Sequence, residues 1–261
     1  MRLVLVGLLL VLPPAAHAAA APAAATTTDE SSINPPPIPL VVSCAANATA
    51  PERAAAEEMV GYLRSILGHA ATVPPVLNAT RDTAKTPQLA VGYGAARLLG
   101  VPAASLAGLG REGYILQSAA AGASLALSGG QGAPRGTLYA VNEFLEGIGV
   151  QFLTADATLL PAQLPPALPA LRQSYTPTFE YRQTFGFQFL TSQDFNVHLR
   201  TNRAHFNNPV PMLDAKHGGS YPIFAAPPGS AHTSYSLLPG GAHLGIGGPP
   251  PDLFKSHRGW L

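Results

Sequence analysis

The sequence predicts an α/β (α+β) fold, with a small mixed β-sheet packed against two main helices, and three observations point to it. Two stretches place apolar residues at spacings of three and four, short apolar or β-branched runs lie between and around them, and two of those runs are close enough to form a hairpin. The resulting order is strand, helix, strand, hairpin strands, helix, strand. That order implies a mixed sheet with helices on one or both faces.

Residues 38–44 (IPLVVSC) follow three prolines and form an apolar run suited to a buried strand. Thr49 and Glu52 then have capping-box spacing, in which the hydroxyl accepts from a free amide and the carboxylate reaches back. Ala55, Met59, Tyr62, Leu63, Ile66 and Leu67 fall on one helical face, with Glu57, Glu58 and Arg64 on the wet one and Gly68 placed for a left-handed stop. Residues 88–93 (QLAVGY) read as a second strand, followed by a short Ala- and Leu-rich helix ending near Gly100. Residues 113–117 (GYILQ) and 124–128 (SLALS) read as an antiparallel hairpin. The second long helix spans residues 137–146, with Leu138, Val141, Phe144, Leu145 and Ile148 on its stripe, and residues 150–153 (VQFL) return as a strand.

Gly129, Gly130 and Gly132 lie between a strand and a helix, where backbone amides can cradle phosphate. No GKS, GKT or GxGxxG pattern accompanies them, so a tight strand-to-helix turn is the favoured reading.

Around this domain, at residues 38–153, the chain divides further. Residues 1–18 carry Arg2, an apolar run and small residues at Ala16-His17-Ala18, the pattern of a secretory signal peptide. Residues 19–37 are rich in Ala, Thr and Pro and read as a disordered lead-in. Residues 154–178 hold prolines at 161, 165, 166, 169 and 177 and read as a linker. A new unit is expected at residues 179–261, with a strand at 179–185 (FEYRQTF) and a helix at 193–202 (QDFNVHLRTN). Beyond Asn207, Pro and Gly make up about a third of the residues and no apolar period survives, so an irregular tail is expected.

The expected setting is secreted, extracellular and outside the membrane once the signal is cleaved. Two sequons, at Asn47 and Asn78, are candidate glycosylation sites consistent with it. Fifteen basic and 14 acidic residues leave a formal charge of +1, which gives no electrostatic footprint for nucleic acid. The single cysteine, Cys44, excludes an intramolecular disulfide and reads as a core residue. No cofactor is expected.

Four segments together resemble the N-terminal domain of alpha-glucuronidases of glycoside hydrolase family 67 and of proteins carrying the domain-of-unknown-function family 4838. They are the acidic helix from Glu52 to Leu63 with Ile66-Leu67-Gly68, and the strand Leu89-Ala90-Val91-Gly92. The third is Pro134-Arg135-Gly136-Thr137-Leu138-Tyr139-Ala140-Val141 with Glu143-Phe144-Leu145-Glu146 and Gly149-Val150-Gln151-Phe152-Leu153, and the fourth is Pro177-Thr178-Phe179-Glu180-Tyr181-Arg182. Family-like fragments continue at His232-Thr233-Ser234-Tyr235 and from Leu253 to Trp260.

The resemblance implies an accessory domain of a secreted glycoside hydrolase acting on oligo- or polysaccharide, followed by an incomplete start of a TIM barrel. Such a barrel takes about 250 residues, whereas the 261-residue chain ends 83 positions after Thr178. The expectation is that this chain lacks the catalytic barrel and does not hydrolyse glycosides alone.

Glycoside hydrolysis uses two carboxyl groups across the scissile bond. After the linker the acidic residues are Glu180, Asp194, Asp214 and Asp252, which form no recognisable pair, so no catalytic residue is assigned. Arg182, Asn202 and His205 are candidates for lining a sugar subsite, weighed against a favoured structural role. His205, His217, His232, His243 and His257 match no compact metal-ligand spacing, so no metal site is expected. Ser65 and Ser128 lie outside any GxSxG elbow. The competing functional reading is a non-catalytic carbohydrate-binding or interaction module. Its aromatic candidates are Tyr62, Tyr93, Tyr114 and Tyr139, of which Tyr62 and Tyr139 lie on helices and read as packing residues.

Overall fold

The computed structural model describes residues 41–68, 74–119, 124–166, 168, 170–184, 186–202 and 213–219. The signal-like segment, the lead-in and the tail beyond Gly219 lie outside the described residues.

The sheet alternates with helices as follows: β1 (Val41–Cys44), α1 (Ala50–Leu67), β2 (Leu77–Asn78), β3 (Gln88–Val91), α2 (Tyr93–Leu98), α3 (Ala103–Ala107), β4 (Tyr114–Ser118), β5 (Leu125–Gly129) and α4 (Gly136–Gly147). A ribbon of β6 (Gln151–Phe152) and β7 (Thr158–Leu159) comes next, then β8 (Arg172–Tyr175), α5 (Phe187–Thr191) and α6 (Gln193–His198). Six strands form one mixed sheet in the order β2-β1-β3-β5-β4-β8. The pairs β1/β2, β1/β3 and β3/β5 are parallel, and β4 is antiparallel to both β5 and β8.

Strand periodicity divides the core between the two faces. Leu89, Val91, Leu125, Leu127, Tyr114 and Leu116 point to one side and pack with Met59, Leu63, Tyr139, Phe144 and Leu145 of α1 and α4. Ile115 and Ala126 point to the other side and meet Ala96, Val101, Leu106 and Leu109 from α2, α3 and the loops that follow each. Helices therefore cover both faces, and β3 and β5 are buried throughout.

Local chemistry sets the element ends. The Thr49/Glu52 capping box forms as expected: the Thr49 amide donates to Glu52 Oε2 at 2.8 Å, and the Glu52 amide donates to Thr49 Oγ1 at 3.4 Å. Glu52 does more than cap, because its Oε1 accepts from the Tyr93 amide at 2.7 Å and ties α1 to the start of α2. Gly92, just before that amide, has φ 93°, and a Cβ there would lie 2.9 Å from Glu52 Oε1. Gly68 ends α1 at φ 69° and ψ −173°, a positive-φ stop outside the left-handed helical well.

The glycines after β5 serve close packing. A Cβ on Gly136 would lie 2.3 Å from the Gly113 carbonyl oxygen and 2.8 Å from Gly129 Cα, so the strand-to-helix turn admits no side chain there.

Four expectations change. The expected linker contains β8, the edge strand beside β4, because the segment between Pro169 and Pro177 is free of proline and its amides can join the ladder. Residues 150–153 do not join the sheet: Gln151–Phe152 pairs with Thr158–Leu159 in a separate two-stranded ribbon. No strand forms over residues 179–184: the Arg182 amide donates to the Asn202 side chain at 2.9 Å and its carbonyl accepts from the Asn202 amide at 3.0 Å, which is one cross-link and no ladder. The helix expected at 193–202 stops at His198, after which Arg200 adopts φ 56°, a conformation that closes a helix but cannot extend it.

Candidate functional site

Arg182 and Asn202 come together, whereas His205 lies outside the described residues. They meet at Glu112, in the turn before β4. Its carboxylate accepts from Arg135 Nε at 2.6 Å, from Asn202 Nδ2 at 3.1 Å to each oxygen, and from Arg182 Nη2. The remaining Arg182 donors go to backbone oxygens, Nε to Arg200 at 2.8 Å and Nη1 to Phe179 at 2.7 Å. Arg135 is 1% exposed and also donates to the carbonyls of Gly218 and Gly219.

The two candidates thus belong to a clasp that fastens the segments around residues 182, 202 and 218 to the sheet domain. Their polar atoms face protein partners. Tyr139 lies beside the clasp, with its hydroxyl 3.4 Å from Arg182 Nη2. Burial first, and then the Glu112 charge, push this phenol well above the usual tyrosine range.

A second polar region is open to ligand. A cleft of about 530 Å³ lies between the outer face of α1, the ribbon, α6 and the turn Ala215–His217. The α1 residues that line it, Ala54, Glu57, Glu58, Gly61, Tyr62 and Ser65, recur at helical spacing on the face turned away from the sheet. Asp194 and His198 enter from α6, Thr154 and Thr158 from the ribbon, and Lys216 and His217 from the turn.

The wall is organised by two imidazoles. His198 Nε2 lies 2.5 Å from Glu58 Oε1, and the ring stacks on Phe152 with centroids 3.9 Å apart and planes at 17°. Tyr62 meets Phe152 edge-on at 5.7 Å. Glu58 is therefore half-buried and paired, not solvated as its helical position predicts. Burial outweighs an opposing hydrogen bond from Thr158 and, with smaller help from the Glu58 and Asp194 charges, raises the Tyr62 phenol above its usual value, so it stays neutral. His217 stands between Asp194 and Asp214, with ring nitrogens 2.6 Å and 2.7 Å from their oxygens.

The polar side chains of the cleft can donate and accept hydrogen bonds around a bound molecule, and Tyr62 adds an aromatic surface. Ser65 Oγ donates to the Gly61 carbonyl of its own helix at 3.0 Å. Cys44 lies in the core, where burial first and the Glu52 charge second push its thiol up to about 11. Among the described residues, no group of three His, Cys, Asp or Glu side chains is placed to hold a metal ion.

Of the other tyrosines, Tyr114 and Tyr139 are buried and Tyr93 packs against the second core, so only Tyr62 of the four borders the cleft. Asn47 and Asn78 are both exposed, on a turn and on the edge strand β2. Sequence reasoning missed the Glu58–His198 and Asp194–His217 pairs, which are non-local. One local sign was available: Asp214 precedes His217 by three positions and caps its turn, accepting from the His217 amide at 3.1 Å. Comparison with family models, curated proteins and solved structures found no match to the chain.

Proposed function

We propose that this chain is the accessory domain of a secreted glycoside hydrolase of the alpha-glucuronidase-like kind, and that the cleft on α1 holds a saccharide without cleaving it. On this reading the segment from Phe179 onward is the start of a barrel region, and Asn47 and Asn78 carry glycans. The observation that carries the saccharide-binding part of this reading is the cleft. Its volume of about 530 Å³ falls within the roughly 300–1,000 Å³ common for small-molecule sites. Its lining suits a pyranose, whose hydroxyls pair with carboxylates and ammonium groups and whose C–H face rests on an aromatic ring.

Binding without cleavage follows from how the carboxylates are used. Glu58 is paired with His198 and Asp194 with His217, which leaves no two uncommitted carboxyl groups among the described lining residues to act as acid and base across one bond. The lining is mixed in charge, with Glu57, Glu58 and Asp194 set against Lys216 and His217.

Calorimetric titration of the purified chain with neutral xylo-oligosaccharides and with glucuronate-bearing fragments tests this. The expected result is weak but saturable binding, and a loss of about fivefold to tenfold in affinity for Tyr62→Ala. Absence of binding at millimolar saccharide overturns the proposal, and turnover of aryl glycosides overturns its non-catalytic part.

A further inference from the structure

We propose that His217 is a protonation-controlled latch that holds residues 213–219 against α1 and α6. The geometry carries it. Nε2 lies 2.6 Å from Asp194 Oδ1 and Nδ1 lies 2.7 Å from Asp214 Oδ1, while the imidazole side chain is 7% exposed. A neutral imidazole has one N–H and one lone pair, so it can satisfy only one of the two carboxylates. The other contact would set a lone pair against an anionic oxygen at hydrogen-bond distance. Both carboxylates reach solvent, with side chains 71% and 48% exposed, and stay ionised. The proton that completes the arrangement is therefore on the ring, and the latched form is the imidazolium.

The surrounding charges are mixed. Glu57 and Glu58 of α1, with the neutral Tyr62, and Asp194 and His198 of α6 line the same cleft as His217, and Asp214 and Lys216 lie on its own turn. Arg135, paired with Glu112, holds the far end of the turn through Gly218 and Gly219. For His217, burial opposes protonation but is outweighed by the hydrogen bonds to Asp194 and Asp214, and the net direction is upward from the ordinary histidine value. The bond from His217 is the largest cause holding Asp194 below the ordinary carboxylate value; for Asp214, burial pulls upward and the His217 bonds outweigh it.

The direction of the linkage follows. His217 has its raised value only in the folded, latched state, so its contribution is fully present below the unfolded value and is lost as pH rises through the folded one. The carboxylates add the opposite edge: their contribution is present above their unfolded values and is lost as pH falls through the lowered ones. The latch is closed between those limits and loosens on the alkaline side, when the ring proton leaves to solvent. Loosening moves one wall of the cleft, yet the latch stands whether or not the cleft binds a saccharide.

The test needs no ligand. The His217 ring is titrated by NMR in the intact chain, assigned by its absence in His217→Gln, while exchange protection of the His217, Gly218 and Gly219 amides is followed between about pH 5.5 and 8.5. The expected result is a midpoint above that of an unstructured histidine and a loss of protection of about tenfold across it, with β3 amides unchanged. Asp194→Asn should lower the midpoint, which keeps the test decisive if His217→Gln does not fold. A midpoint at or below the unstructured value, protection of the turn that ignores pH, or an unmoved midpoint in Asp194→Asn overturns the latch.

Discussion

The Glu112 clasp and the His217 latch tie the same stretch of chain to the domain, and they differ in where their positive charge comes from. The clasp uses Arg135 and Arg182 around one carboxylate that is 10% exposed, while the latch uses one imidazole between two largely wet carboxylates. Guanidinium groups remain charged across the physiological range, whereas an imidazole does not. A buried carboxylate with fixed cations makes a permanent tether; a buried histidine with exposed carboxylates makes a conditional one. The two meet at Gly218–Gly219, whose carbonyls Arg135 holds one or two residues beyond the latch.

The largest way to break this pairing is at the permanent member. Glu112→Ala leaves Arg135 buried without its counter-charge and removes an acceptor that Arg182 and Asn202 share. Urea unfolding should show a loss of about 3–5 kcal/mol, the usual cost of orphaning a buried charge. A loss near zero would mean that the clasp is not a tether.

The conditional member should respond less and only over part of the pH range. His217→Gln measured near pH 6 should cost about 1–2 kcal/mol, in line with charge-assisted hydrogen bonds. That difference should shrink as pH rises through the raised His217 value, because the wild-type protein loses the same contribution there. Glu112→Ala should leave this pH dependence in place, which separates the two devices.

What the sequence made legible is what depends on near neighbours. The capping box of α1, the apolar stripe of α4 and the β4–β5 hairpin are local patterns, and each appears where its pattern lies. Strand β8 escaped because an edge strand needs only backbone donors and acceptors; its four residues are all exposed and carry no apolar alternation. The proline content around it described the flanks but not the strand. The clasp escaped for a different reason. Glu112 meets Arg182 and Asn202 across 70 and 90 positions, and no spacing rule joins residues so far apart. Arg182 and Asn202 are legible only as sugar-subsite candidates at the expected barrel start, and they do share one cluster. The cleft was hidden in the same way, because α1 presents its outer face to α6, and Glu58 and His198 stand 140 positions apart.

The smallest expected effect sharpens why burial, and not the number of ion pairs, decides the comparison. Lys85 Nζ lies 3.1 Å from Asp82 Oδ1, the distance of the Asn202–Glu112 contacts in the clasp. Its side chains are 78% and 91% exposed, so water screens the attraction and supplies alternative partners as soon as the pair separates. The two residues are also three apart on one short turn, so their approach closes no long loop and fixes no distant segment. Lys85→Ala should change the unfolding free energy by less than about 0.5 kcal/mol and leave the pH dependence untouched. A loss as large as that of Glu112→Ala would mean that short distance alone sets the strength of these pairs, and the distinction between permanent and conditional tethers would lose its physical basis.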